Sequence, residues 1–251
     1  MPSTRTTLFL GALSAIAAAQ KTDAPCADVV IFMARGNDAP YQPDGRTFTF
    51  VETTCAKVAP ASCDYMDAVF DATLGGDYCA QLAEGARNGV RQITEFNQRC
   101  PNTQIVINGY SQGAHVMGDV LGGPGGCTGS STGIDSNSAA GKAIAAALLW
   151  GDVKHTANQP YNTLDGAGRG PQPRTGNDLA LLNRYSSVLR AYCAAGDPVC
   201  AGGNDVAQHL NYFELYTQQA ADWVVSMLKK KAPLTSSSAS APPTSALPSS
   251  A

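Results

Sequence analysis

Charge is scarce in this sequence. Only 15% of its 251 residues are Asp, Glu, Lys or Arg, and 17 basic against 20 acidic side chains give a formal net charge of −3. The chain as a whole lacks the basic field that holds a polyanion, which argues against nucleic acid as a partner. Histidine is scarcer, with 3 residues, and no two of the 8 cysteines form a C-x-x-C pair. A structural zinc site is therefore not expected. No apolar run beyond the N-terminus approaches the ~18 residues of a membrane span. No internal repeat is present. At 44% apolar residues, the chain has enough side chains to bury a core, which excludes a disordered polymer.

The two ends read differently from the middle. Arg5, the apolar stretch LFLGALSAIAAA and the small residues Ala17 and Ala19 fit a secretory leader over residues 1–19, so the expected mature chain begins near Gln20. The end, LTSSSASAPPTSALPSSA, has no hydrophobic period and reads as a Ser/Pro/Thr-rich disordered tail over 232–251. It has no terminal apolar stretch of the kind a glycolipid anchor signal needs. Residues 20–231 are left as one globular domain of a secreted, extracellular protein without a membrane anchor. In an oxidising compartment, eight cysteines imply four disulfides. Proximity pairs Cys193 with Cys200 and Cys55 with Cys63. The pairing of Cys26, Cys79, Cys100 and Cys127 stays open at this point.

Strand and helix patterns alternate along the domain. ADVVIFMAR, residues 27–35, is β-branched and apolar enough for a buried strand. From Cys79 to Arg99, the apolar positions Leu82, Ala86, Val90, Ile93 and Phe96 recur at helical steps. TQIVING follows as a strand, QGAHVMGDVL as an amphipathic helix, and KAIAAALLWGD as a strand-like run whose alanines leave helix open. Residues 151–186, broken by GAGRGPQPR, read as a surface excursion. A last helix is expected from about Asn211 to Lys230, with Phe213, Tyr216, Ala220, Trp223, Val224 and Met227 on its inner side. The triplet Lys229, Lys230 and Lys231 would cap it, where cations meet the negative end of the helix dipole. This alternation implies a parallel sheet covered on both faces, a three-layer α/β/α sandwich.

GYSQG, residues 109–113, lies between the QIVIN strand and the following helix, the context that gives a G-x-S-x-G motif meaning as a nucleophile elbow. Ser111 is then the candidate nucleophile. A serine hydroxyl needs a base, and the base an orienting acid, in the chain order Ser, Asp, His. His115 stands one helical turn past Ser111 and reads as a packing or surface residue. His155 would need Asp152 or Asp165 as its acid. CAAGDPVC favours the other choice: a short disulfide loop stiffened by Pro198 can hold Asp197 against His209.

GYSQG, the ARGN stretch after the first strand, CAAGDPVC, and His209 in QHLNYF together resemble the cutinase and acetylxylan esterase family of secreted fungal serine esterases (carbohydrate esterase family 5). The similarity runs from about Cys26 to Lys230. It implies a cutinase-like α/β-hydrolase fold with a five-stranded parallel central sheet and no large lid, and an accessible catalytic triad of Ser111, Asp197 and His209. It also implies disulfides Cys193–Cys200 and Cys26–Cys100, which leaves Cys79 for Cys127. The oxyanion hole it implies consists of the Gln112 and Asn37 backbone N–H groups. Asn37 departs from the usual serine or threonine there, whose hydroxyl adds a donor.

The expected activity is acyl-enzyme hydrolysis of esters on a plant cell-wall polymer, needing no cofactor or metal, by a monomer. Short-acyl hydrolysis of acetylxylan is the first reading and cutin polyester the second. A catalytically weak effector or binding protein on the same fold is a third reading, of a different class.

Overall fold

The computed structural model describes residues 19–127, 131–166 and 168–231. The expected leader up to residue 18 and the tail over 232–251 lie outside the described residues. In chain order the elements are β1 Val29–Ala34, α1 Phe48–Val58, β2 Cys63–Asp67, α2 Tyr78–Arg99, β3 Gln104–Tyr110, α3 Gln112–Gly122, α4 Ala139–Ala143, β4 Ile144–Trp150, β5 Asn162–Thr163, α5 Gly176–Asn183, β6 Leu189–Tyr192, α6 Val206–Leu210 and α7 Tyr212–Lys231.

All strand pairs are parallel, in the order β2-β1-β3-β4-β6-β5. A parallel sheet needs crossovers that lay helices on both faces, so its central strands are apolar on both sides. β1, β3 and β4 are accordingly buried at every residue. Side chains alternate across the pleat, and β1 divides between two cores. Val30, Phe32 and Ala34 join Leu82, Ile93, Phe96 and Val116 of α2 and α3, whereas Val29, Ile31 and Met33 join Phe50 and Val51 of α1 and Val224 and Leu228 of α7.

The sheet has six strands rather than the expected five. The extra strand is β5, two residues long, which lies inside the supposed surface excursion and pairs with β6 through Asn162↔Ala191 and Thr163↔Tyr192. That excursion also contains α5 and the buried side chains of Asp152, His155 and Arg174. Arg174 donates to Asp119 Oδ1 at 2.6 Å and to the Gly123 carbonyl at 3.3 Å, an internal ion pair that a glycine- and proline-broken stretch gives no sign of.

Two helical faces differ from expectation. α3 is buried at all its residues, because α2 and α5 flank it while β1, β3 and β4 lie beneath it; it is a core helix and not an amphipathic one. On α7 the buried set is Tyr212, Phe213, Thr217, Ala220, Ala221, Val224 and Leu228. Tyr216, Trp223 and Met227 sit half-buried at the edge of that stripe. KAIAAALLW resolves into a short helix, α4, with Ser138 Oγ accepting from Gly141 N at its start, followed directly by the strand β4.

Candidate active site

Ser111 sits on the turn between β3 and α3 with φ 56° and ψ −119°, a left-handed conformation that a side chain rarely adopts. Such strain persists only where the surroundings enforce it. Two glycines permit the turn: a Cβ on Gly109 would lie 2.4 Å from the Gly113 carbonyl oxygen, and one on Gly113 would lie 2.2 Å from that of Ala34. The Ser111 amide donates to the Trp150 carbonyl at 2.8 Å, locking the turn to the end of β4.

His209 lies on the short helix α6, which Asp205 caps by accepting from Ala207 N at 3.0 Å. Its Nε2 is 3.0 Å from Ser111 Oγ, and its Nδ1 is 2.8 Å from Asp197 Oδ2. Asp197 comes from the loop closed by the Cys193–Cys200 disulfide. There its Oδ1 accepts from Val199 N at 2.6 Å and Cys200 N at 3.2 Å. The carboxylate has no solvent exposure. Burial works against its ionised form, but hydrogen bonds from His209 and Tyr212 outweigh it and hold its pKa below the usual carboxylate range.

Three residues complete this arrangement that the motifs did not single out. The Tyr212 hydroxyl donates to Asp197 Oδ2 at 2.6 Å and accepts from Ala194 N at 3.0 Å, so it joins the acid to its own loop. The Tyr110 ring stacks on the imidazole with centroids 5.2 Å apart, and its hydroxyl donates to the His209 carbonyl at 3.0 Å. Gly151 has φ 56°, and a Cβ there would stand 2.7 Å from two atoms of the His209 ring. Beneath them, Trp150 stacks on Tyr192 at 4.0 Å and donates to Asn108 Oδ1 at 2.8 Å, giving the site a rigid aromatic floor. The available signals were slight: Tyr212 shares a short segment with His209, and Gly151 follows an apolar strand.

The other two histidines are packing residues. His115 is wholly buried with Nδ1 3.1 Å from the Tyr78 hydroxyl. Burial, then the charges of Arg174 and Lys154, push its pKa well below the ordinary value. His155 is buried in the 151–174 segment, its pKa also lowered by burial.

Gln112 is the first residue of α3, so its N–H belongs to the unpaired, positive end of a helix. The Asn37 side chain does not act as a free third donor: its Nδ2 donates to Gln112 Oε1 at 2.8 Å and to the Ala72 carbonyl at 3.4 Å. Gln112 Nε2 in turn donates to Gln81 Oε1 at 2.7 Å, and Gln81 Nε2 to Asp71 Oδ2 at 3.0 Å. This amide chain fixes the loop after β1 against the elbow. Asn37, Tyr110, Ser111, His209, Arg46 and Leu210 line an open cleft of about 460 Å³, with Asp38 and Asp44 at its rim.

All eight cysteines are paired: Cys26–Cys100, Cys55–Cys63, Cys79–Cys127 and Cys193–Cys200. Among the described residues no helix is long and apolar enough to cross a membrane.

A strained serine at a strand-to-helix turn, an imidazole on its hydroxyl and a buried carboxylate behind the imidazole, all at the C-terminal ends of parallel strands, define an α/β-hydrolase. The comparisons narrow the class. The family model described as Cutinase matches residues 25–228, and the chain belongs to the cutinase family. Cutinase 11 of Verticillium dahliae is 35% identical over 156 residues, which make up 61% of this chain and 52% of that protein. The acetylxylan esterase of Hypocrea jecorina is 32% identical over 160 residues, 62% of this chain and 52% of that protein. The chain thus spans about half the length of these curated relatives. The catalytic core domain of acetyl xylan esterase from Trichoderma reesei superposes with a TM-score of 0.72 at 28% identity, covering 81% of this chain and 100% of that one.

Proposed function

We propose that the chain is a secreted serine carboxylesterase acting on ester groups of plant cell-wall polymers, with Ser111, His209 and Asp197 as its triad. The observation that carries this reading is the continuous hydrogen-bond path from Ser111 Oγ through His209 to Asp197, at 3.0 Å and 2.8 Å. Ser111 Oγ attacks the ester carbonyl while its proton passes to His209 Nε2, and Asp197 stabilises the imidazolium that forms. The Gln112 and Asn37 N–H groups receive the developing oxyanion. The imidazolium returns the proton to the departing alcohol. Water then attacks the acyl-serine with the same imidazole as base, releasing the acid.

A short acyl group on a polysaccharide is the favoured substrate. The cleft is open, and Arg46, Asp38 and Asp44 at its edge suit a hydrated leaving group. The half-exposed Leu210 in the same cleft, with the exposed Val206 on the same helix, favours the second reading, a polyester such as cutin.

The test compares hydrolysis of p-nitrophenyl acetate, butyrate and longer esters, and acetate release from acetylated xylan, for the wild type and Ser111→Ala. Acetyl ester turnover that falls by about 10⁴-fold or more on substitution is expected. An inactive wild type would overturn the esterase reading. Activity surviving in Ser111→Ala would overturn the nucleophile, and a long-chain preference would transfer the substrate to cutin.

A further inference from the structure

The outer flank of α7 carries a feature that the active site does not use. Two cavities, of about 350 and 520 Å³, meet at Ser187 and form one groove between α7 and the edge of the sheet. Gln219, Trp223, Met227 and Lys230 line it from the helix, at spacings that keep them on one face. From Gln219 to Lys230 the groove follows the helix for about 16 Å at ~1.5 Å per residue. This explains why Trp223 and Met227 sit at the border of the buried stripe: they form the wall of a surface channel.

The charge along the groove runs against that of the chain. Lys142, Arg184, Arg190, Lys230 and Lys231 line it, and among the described residues no Asp or Glu does, although acidic residues outnumber basic ones in the sequence. Asp135 stands behind Arg184 and pairs with it at 3.8 Å. Arg190 lies over the Trp223 ring at 4.7 Å, and Lys231 Nζ donates to the Lys142 carbonyl. Between the cations are an aromatic ring, aliphatic side chains such as Met227, and amides and hydroxyls such as Gln219 and Ser187. Such a surface matches a sugar chain, whose rings present C–H faces and hydroxyls, when that chain also carries carboxylates. The exposed large apolar side chains, Leu74, Val206, Leu210 and Leu215, are absent from the groove, whose Trp223 and Met227 are half-buried in its wall.

We propose that this groove binds an acidic polysaccharide strand, a chain bearing uronic-acid carboxylates, apart from the ester-cleaving cleft. The proposal rests on the cell-wall polymer reading above. The Lys142, Lys230 and Lys231 end of the groove lies at the start of β4, and Ser111 lies beyond the end of the neighbouring parallel strand β3, at the other end of the strands. β4 alone spans roughly 20 Å at ~3.3 Å per residue, and although the Thr163 end of the groove is level with the end of β4, no described residue lines both groove and cleft, so a strand held in the groove leaves the cleft free. The groove would keep the esterase on a charged polymer while the cleft samples its esters.

The test uses the full-length chain and immobilised polygalacturonate, with a neutral galactan as control. Retention on the polyuronate alone is expected. It should fall about tenfold or more in Lys142→Gln/Lys230→Gln and in Arg190→Gln, and it should vanish near 1 M salt, where exposed charges are screened within ~3 Å. Hydrolysis of p-nitrophenyl acetate should be unchanged in these variants, which also reports that they fold. Equal retention of the variants, no retention of the wild type, or a preference for anionic phospholipid vesicles would each overturn the proposal. Failure of the esterase reading would appear separately, as absent ester hydrolysis with retention intact.

Discussion

At the scale of single residues, Tyr212 is the position whose removal says most about how the acid is held. Its hydroxyl and His209 Nδ1 share Asp197 Oδ2, and it also satisfies the buried Ala194 amide. A hydrogen bond to a charged group contributes about 1.5–3 kcal/mol, so Tyr212→Phe should lose about that much stability at pH 7. The pKa of Asp197 is depressed in the folded state. Its contribution is therefore complete above the unfolded carboxyl value of about 3.9 and is lost as pH falls through the lower folded value. The stability gap between wild type and Tyr212→Phe should accordingly narrow below pH 4, which urea unfolding at pH 7 and at pH 3 would measure. A gap of equal size at both pH values would mean that the hydroxyl serves packing alone. The hydrogen-bonded arrangement of Ser111, His209 and Asp197 was legible in the sequence because its motifs are local: GYSQG for the serine, a clamped loop for the acid, and chain order for the base. Tyr212, Tyr110 and Gly151 were not, because their roles consist of meeting His209 or Asp197 from other elements. The side-chain bond of Asn37 belongs with them, although the resemblance already named its backbone N–H, since only the fold brings Gln112 Oε1 within 2.8 Å of its amide.

At the scale of elements, the four disulfides divide between those that hold the fold and one that holds the site. Cross-linking stabilises mainly by restricting the unfolded chain, and the effect grows with loop length. Cys26–Cys100 has a sequence separation of 74 and Cys193–Cys200 one of 7; these imply about 4.5 and about 2.5 kcal/mol respectively. Yet the short loop positions Asp197 and the long one does not touch the triad. Replacing Cys193 and Cys200 with serine should therefore cost less stability and more turnover than replacing Cys26 and Cys100, as calorimetry and p-nitrophenyl acetate kinetics at 25 °C would report. If turnover instead followed the loss of stability, the loop would not be orienting the acid. The same scale shows where the sequence was readable. β1, β3 and α2 announced themselves through apolar runs or a helical period, because their neighbours bury them completely or on one clean face, whereas the alanines of β4 left helix open. α1 escaped notice because Thr54 occupies one of its buried positions beside Phe50, Val51 and Val58. β2 was hidden by the acids in CDYMD, of which Asp67 is nonetheless buried. α5 buries one residue, Leu182, too few for any period to show.

At the scale of the whole molecule, the cores and the site together fix how short the chain can be. Buried apolar side chains run from Ala24 to Leu228, but the N-terminal boundary is set by a polar contact outside that range. Lys21 N donates to Asp67 Oδ2 at 2.8 Å, Asp67 N donates back to the Lys21 carbonyl at 2.7 Å, and Lys21 Nζ pairs with Asp64. Asp67 is nearly inaccessible, and burial, the largest influence on it, raises its pKa against the lowering effect of the Lys21 and Gln42 amides. A chain of residues 20–231 retains all of these contacts, and its thermal midpoint and rate on p-nitrophenyl acetate should equal those of the full sequence. A chain of residues 25–231 keeps every apolar core residue except Ala24 but removes a donor from a buried carboxylate, at a cost of about 1–3 kcal/mol. For a domain of this size that lowers the midpoint by about 2–4 °C per kcal/mol, with Ser111, His209 and Asp197 untouched. Calorimetry of the three chains separates the two accounts. Equal midpoints for the two truncated chains would show that the Lys21–Asp67 pairing holds nothing, whereas a lowered midpoint already in the 20–231 chain would place part of the fold's support outside those residues.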